Sequence, residues 1–200
     1  MIQLSRTMAL PILMFDQDAL SPRFGYVFHR RWVQPYESLV GILWKFARMN
    51  LLSGATLVTQ LRADAVDPYE GVGPQEVDLK AVARLLGVTQ RSVRVGMDTM
   101  AKPSTWLRYC PRCMSLGYHG VVHQEERHAR CPIHRLPLLT ACRDCGRRSA
   151  YWFDAQLLDA PFRCRHCRRY YGSKSGPPRQ CTSLSRERRI AVTRAALGAG

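Results

Sequence analysis

This chain has little that would carry it across a membrane and, beyond position 100, little negative charge. Its longest early apolar run, Met8–Phe15, has eight residues and contains Pro11, far short of the ~20 apolar residues that a bilayer-spanning helix needs. Asp16 and Asp18 follow that run where a cleaved leader would carry small residues, which argues against a secretory signal and for a reducing compartment in which thiols stay unpaired. After position 100 the acidic side chains are Glu125, Glu126, Asp144, Asp154, Asp159 and Glu187. They form no paired-carboxylate cluster of the kind that holds two catalytic cations in a nuclease.

The charge that is present is unevenly placed. Lys and Arg number 30 against 15 Asp and Glu, for a formal charge of +15. Residues 1–100 carry 11 basic and 9 acidic side chains, whereas residues 101–200 carry 19 and 6. The positive field therefore belongs to the second half, where it attracts phosphate backbones, acidic proteins or anionic surfaces. Hydrophobic residues make up 46% of the chain, enough for a modest core and too many for wholesale disorder.

The first half reads as helical. Residues 1–36 are irregular or partly extended, broken by Pro11, Pro22 and Pro35. Residues 37–49 are expected to be an amphipathic helix with Leu39, Ile42, Leu43, Phe46 and Ala47 on one face, Glu37 in its first turn and Arg48 in its last, as the helix dipole favours. Ser53 caps a second helix through about residue 63 with Leu57, Val58 and Leu61 inward, and Val66–Glu76 is a Gly/Pro-rich loop. Asp78 caps a helix to residue 86, Gly87 supplies a left-handed turn, and Thr89 caps a helix to about residue 99. The spacing over 78–99 is that of a helix-turn-helix: Ala83 is small at the crossing, Val82, Leu86, Val88 and Val93 form the shared core, and Gln90, Arg91 and Arg94 are left exposed for base edges or phosphates. The same pattern also suits a helical hairpin that only packs on its neighbours.

The second half carries four ligand pairs in tandem. Cys110-Pro-Arg-Cys113 precedes Cys131-Pro-Ile-His134 by 17 residues, and Cys142-Arg-Asp-Cys145 precedes Cys164-Arg-His-Cys167 by 18. Two residues between ligands let one tight turn aim both at a single ion, and thiolate and imidazole donors in fours suit tetrahedral Zn2+. Two structural zinc ions are expected. Sequential pairing closes each set within its own hairpin, and a cross-braced pairing of first with third and second with fourth is the alternative. Four protein donors per ion leave no position for a catalytic water. His119, His123, His128 and His166 are expected as surface or DNA-facing side chains, with His128 the nearest substitute ligand, and Cys181 as a free thiol. His123-Gln124-Glu125 matches the first half of a zinc-deaminase motif, but Cys142 follows Ala141 rather than proline, so the second half fails. The spacing also lacks the interleave of a cross-braced ubiquitin ligase. Arg147, Arg148, Arg163, Arg165, Arg168 and Arg169 are expected to contact phosphates.

Several of these segments together resemble the TniQ family of transposition targeting proteins: Pro35-Tyr-Glu-Ser-Leu and the following helix with Trp44 and Arg48, then the helix-turn-helix-like stretch, then Arg108-Tyr-Cys-Pro-Arg-Cys113, Cys131-Pro-Ile-His134-Arg-Leu-Pro-Leu-Leu and Cys142-Arg-Asp-Cys145-Gly. The resemblance implies a non-enzymatic adaptor that binds target DNA or a guide-RNA (CRISPR) effector complex and recruits the transposon's AAA+ ATPase. The short tail after Gly172 makes it a compact member, expected in the bacterial cytoplasm at the nucleoid; the lack of a membrane segment leaves no membrane partner expected, and the apolar N-terminal helices could support a homodimer. The organisation expected is a helical domain over 1–103, tandem zinc-finger modules (α plus small β) over 104–172, and a basic tail over 173–200 with a short helix at 183–197 capped by Ser183 or Ser185. A zinc-containing helix-turn-helix transcriptional regulator is the alternative.

Overall fold

The structure is a computed structural model that describes residues 26–62, 64–95, 103–172 and 183–198. The Met8–Phe15 run, the expected end of the fourth helix at 96–99, the linker at 173–178 and Cys181 lie outside the described residues. The chain is mostly helical. Among the described residues its β structure is confined to isolated antiparallel pairings, and no helix is long and apolar enough to cross a membrane.

Helix α1 (Leu39–Asn50) is the centre of the fold. Ser38 caps it by accepting from the Gly41 N–H at 3.3 Å. Every residue from Leu39 to Ala47 is buried; such all-round burial marks an interior helix rather than an amphipathic surface one. The first-turn role expected of Glu37 is corrected accordingly. Glu37 precedes the cap and is itself buried, with its carboxylate 2.7 Å from Lys45 Nζ. Lys45 also donates to the Trp32 carbonyl at 2.7 Å, and the Gln34 N–H donates to Glu37 at 2.9 Å. This buried pair fastens the 30–37 segment across α1. Edge-on contacts of Phe46 with Tyr26 and Phe28 close one flank.

Helix α2 spans Gly54–Val58, capped by Ser53, and stops short of the expected residue 63. Past Val58 the chain tightens into three-residue turns, Gln60 N–H to Leu57 O and Leu61 N–H to Val58 O. The Asp78 N–H then takes the Leu61 carbonyl at 2.7 Å. Leu57, Val58 and Leu61 nonetheless all point inward as the pattern requires. Gly54 is obligatory: a Cβ there would lie 2.1 Å from the carbonyl oxygen of Ala155, the first residue of α7 (Ala155–Leu158). Helix α3 (Leu79–Leu86) is capped by Asp78 and ends at Gly87 with φ 64°; α4 (Gln90–Arg94) follows, capped by Thr89. Val82, Ala83, Leu86 and Val93 are buried, and Val88 is half-buried against the same core.

The remaining helices are one-turn pieces, α5 (Pro111–Met114) and α6 (Val121–Gln124), and an 11-residue helix, α8 (Arg186–Ala196), capped by Ser185. One core crosses position 103. Trp44 of α1 donates its indole N–H to the Leu157 carbonyl at 2.9 Å and packs on Phe162 with ring centroids 5.2 Å apart. Val72 and Phe153 exchange backbone hydrogen bonds of 3.1 and 3.0 Å. The helical half and the cysteine-bearing half are therefore packed against each other through α1.

The Lys45–Glu37 pair yields a test. Lys45→Met strands a buried carboxylate and is expected to cost about 3–5 kcal/mol, whereas Lys45→Met with Glu37→Leu removes both charges and recovers most of that loss. Urea melts of the two variants check this; equal destabilisation would show that the pair is not what matters.

Candidate metal centres and the surrounding arginines

Three of the four ligand pairs sit on copies of one backbone device. In each, the N–H of the leading cysteine donates to the carbonyl five residues on: Cys131 to Leu136 at 2.8 Å, Cys142 to Arg147 at 2.9 Å, Cys164 to Arg169 at 2.8 Å. The N–H four residues on donates back to the cysteine carbonyl, from Arg135, Gly146 and Arg168. Those three residues have φ of 57°, 71° and 59°, a left-handed turn that reverses the chain immediately after the second ligand. Glycine adopts it freely; the two arginines hold it at a local cost of ~1–2 kcal/mol. Each loop is closed by an antiparallel pairing, Arg130 with Pro137, Ala141 with Arg148 and Arg163 with Tyr170. The Cys110–Cys113 pair differs: it rides the helical turn α5, with Pro111 in the first position, where a missing N–H is harmless.

The donors converge in two sets, Cys110, Cys113, Cys131 and His134, and Cys142, Cys145, Cys164 and Cys167, with the donor atoms of each set within 4.8 Å of one another. The grouping follows sequence order, as sequential pairing predicts. In the second set Cys142 Sγ is 3.7 Å from Cys167 Sγ, and Cys145 Sγ is 3.7 Å from Cys164 Sγ. A tetrahedron with metal–sulfur bonds of ~2.3 Å has edges of about 3.8 Å. In the first set Cys113 Sγ is 3.5 Å from Cys131 Sγ, and His134 presents Nδ1 at 3.3, 3.5 and 3.9 Å from the sulfurs of Cys113, Cys110 and Cys131. Both sets therefore fit a four-coordinate ion filled entirely by protein. Their settings differ. Cys110, Cys113 and Cys131 are fully buried, while Cys145 is exposed and Cys167 half-buried.

Two tyrosines join the sets. The Tyr109 hydroxyl donates to the Ala141 carbonyl at 3.0 Å, and the Tyr170 hydroxyl donates to the Met114 carbonyl at 2.5 Å. Residue 170 immediately follows the last knuckle, and Met114 closes α5, so this bond spans from one centre to the other. Burial lifts the Tyr170 hydroxyl to about 12, keeping it a donor at any ordinary pH.

Two of the four histidines depart from expectation. His119 and His123 are fully buried rather than surface or DNA-facing. His119 bridges Ser38 Oγ at 2.5 Å and the Arg108 carbonyl at 2.7 Å, and burial depresses its pKa to about 4, so the ring is neutral. His123 accepts from the Gly120 N–H on Nδ1 at 3.2 Å, which leaves its ring proton on Nε2, 3.7 Å from Cys131 Sγ. It is a supporting contact to the first centre, of the kind that orients a ligand thiolate. Glu125, the last member of the deaminase-like triplet, is buried and paired with Arg127 at 2.5 Å and His128 at 3.1 Å. His128 is thus half-buried on Glu125 and outside the donor set. His166 is exposed, with Nε2 3.0 Å from the Arg148 carbonyl.

Arg108 and Gln124 are structural residues that the sequence reading did not single out. The buried Arg108 guanidinium donates to the Glu125 and His128 carbonyls at 2.5 Å each, and the Arg108 backbone N–H donates to Gln124 Oε1 at 2.7 Å. The arginines expected at phosphates divide. Arg147, Arg148, Arg168 and Arg169 are exposed, with Arg148 5.7 Å above the Trp106 ring. Arg165 is instead held by Asp154 at 2.6 Å and Gln156 at 2.9 Å, and half-buried Arg163 donates to the Arg168 carbonyl at 3.1 Å. Of the α4 residues, Arg91 and Arg94 are exposed and Gln90 half-buried.

Comparison with protein-family models and with curated proteins finds no match to this chain. On the geometry alone, the purified protein is expected to hold two equivalents of metal and Cys164→Ser one, by elemental analysis. Chelator should strip the solvent-accessible second centre first, giving two kinetic phases; a single phase would show that the two centres open together.

Proposed function

We propose that this protein is a non-enzymatic, zinc-stabilised adaptor of the TniQ type, which binds target DNA or a guide-RNA effector complex and recruits an AAA+ transposition regulator. The observation that carries this reading is the closure of both donor sets: with four protein donors each and sulfur edges of 3.7 Å in the second, the metals serve shape and leave no site for an activated water. The all-cysteine and three-cysteine, one-histidine sets are the donor chemistry that Zn2+ favours. Around them Arg147, Arg148, Arg168 and Arg169 are exposed, a surface suited to phosphates. The α3–Gly87–α4 pair carries Gln90, Arg91 and Arg94 on its second helix and is read as a helix-turn-helix that docks on nucleic acid.

That helix pair also supports a second reading, a transcriptional regulator that uses α4 on an operator. The adaptor reading expects genes for a DDE-type transposase and an AAA+ ATPase beside this one, and expects the tagged protein to retain that ATPase in a pull-down, more strongly with duplex DNA present. No retention with or without DNA, together with a footprint on one symmetric sequence, would overturn the adaptor in favour of the regulator.

A further inference from the structure

A basic concavity lies away from the arginines that the sequence pointed to. It is a groove of ≈ 870 Å³ between α8 and the first metal knuckle, with Arg127, Arg130 and Arg135 on one wall and Arg194 on the other, against Glu187 as its acidic member. A second concavity of ≈ 410 Å³ continues along α8 past Arg186 and Arg189 and shares Ile190 and Arg194 with the first.

Both walls are fixed. Val192 of α8 is fully buried in the same cluster as Cys110, Cys113 and Cys131. The Leu184 N–H donates to Gln34 at 2.9 Å. Arg127 reaches the Ala195 and Ala196 carbonyls at 3.5 Å, a cation at the C-terminal end of α8 where the helix dipole favours it. Arg130 donates to the Arg135 carbonyl at 3.0 Å, which holds the knuckle's left-handed turn and keeps the Arg135 side chain outward and exposed. Arg135 and Arg194 have no ion-pair partner among the described residues.

We propose that this groove seats the phosphate backbone of duplex DNA, a contact that rests on the nucleic-acid-binding reading above and locates it at the first metal module and α8. The charge is complementary to a polyanion, and the track is long. Arg186 to Arg194 spans about 12 Å at ~1.5 Å per residue, while one strand presents a phosphate about every 3.4 Å of duplex axis. Among the described residues no Trp, Tyr or Phe lines either concavity, which favours a duplex backbone over unpaired bases held by aromatic stacking.

The test uses the full, metal-loaded chain and fluorescence anisotropy with a labelled 25-base-pair DNA duplex across 50–200 mM salt. Arg135→Gln with Arg194→Gln removes two phosphate contacts and is expected to flatten the slope of log K against log salt by about 1.8, at ~0.9 per contact. Equivalently, the loss of affinity between 50 and 200 mM shrinks about twelvefold relative to the parent. Metal content and circular dichroism of the double variant verify that the fold is intact. An unchanged slope, with a flattened slope for Arg168→Gln/Arg169→Gln, would overturn the groove and leave the adaptor reading standing. Tighter binding of an RNA duplex of the same length, with the same sensitivity to Arg135 and Arg194, would overturn DNA as the occupant. Absence of DNA binding by the parent chain, with the ATPase still retained, would overturn the groove alone.

Discussion

The tetrahedral convergence of eight side chains is the constraint on which the second half of this protein depends. Between residues 103 and 172 no helix is longer than four residues, and the β structure is a set of isolated pairings. Such pieces have almost no cooperative stability of their own, because a single helical turn hardly repays its nucleation. What fixes their relative positions is that four donors must meet within 4.8 Å twice. Metal affinity and folding are linked for that reason: a donor set that exists only in the folded chain contributes its binding free energy to folding.

The local geometry follows from that demand. A leading cysteine, two spacer residues and a second ligand must reverse direction quickly, and the left-handed residue four places after the cysteine performs the reversal. Gly146 does so without strain, whereas Arg135 and Arg168 do so at φ 57° and 59°. In both of these knuckles the arginine that precedes the cysteine, Arg130 or Arg163, donates to the carbonyl of the left-handed residue. Arginines that look like spare surface charge therefore divide into those that support turns and those left to meet an anion.

The metal modules in turn organise the helical half. Helix α1 is buried on every side from Leu39 to Ala47 because α7 and Phe162, from the loop between the last two ligand pairs, cover a face that the N-terminal segments leave open. His119 joins Ser38, the α1 cap, to Arg108 beside the first ligand pair. Loss of metal would thus expose the central helix, and the Lys45–Glu37 pair would lose the dry surroundings in which it is held.

The amino-acid sequence alone determined the eight donors, their sequential grouping as the simpler closure, the caps at Ser53, Asp78 and Thr89, and the left-handed turn at Gly87, and it narrowed the cap of α8 to Ser183 or Ser185, of which the fold uses Ser185. Each of these is local, fixed by spacing or by one residue's backbone preference. Tertiary structure decided what depends on neighbours distant in the chain. Glu37 reads as a first-turn carboxylate until Lys45 and the buried cap remove it from solvent. Helix α2 reads as ten residues until the close approach of Ala155 at Gly54 and the capture of the Leu61 carbonyl by Asp78 stop it at Val58. His119 and His123 read as surface rings because nothing in their immediate sequence announces Ser38, Arg108 or Cys131 as partners. Arg165 looks available until Asp154 claims it, while Arg130, Arg135 and Arg194 form one groove only because α8 packs its Val192 onto the first metal cluster. Charge can be counted along a chain, but whether a charge is free depends on which groups the fold brings within hydrogen-bonding distance of it.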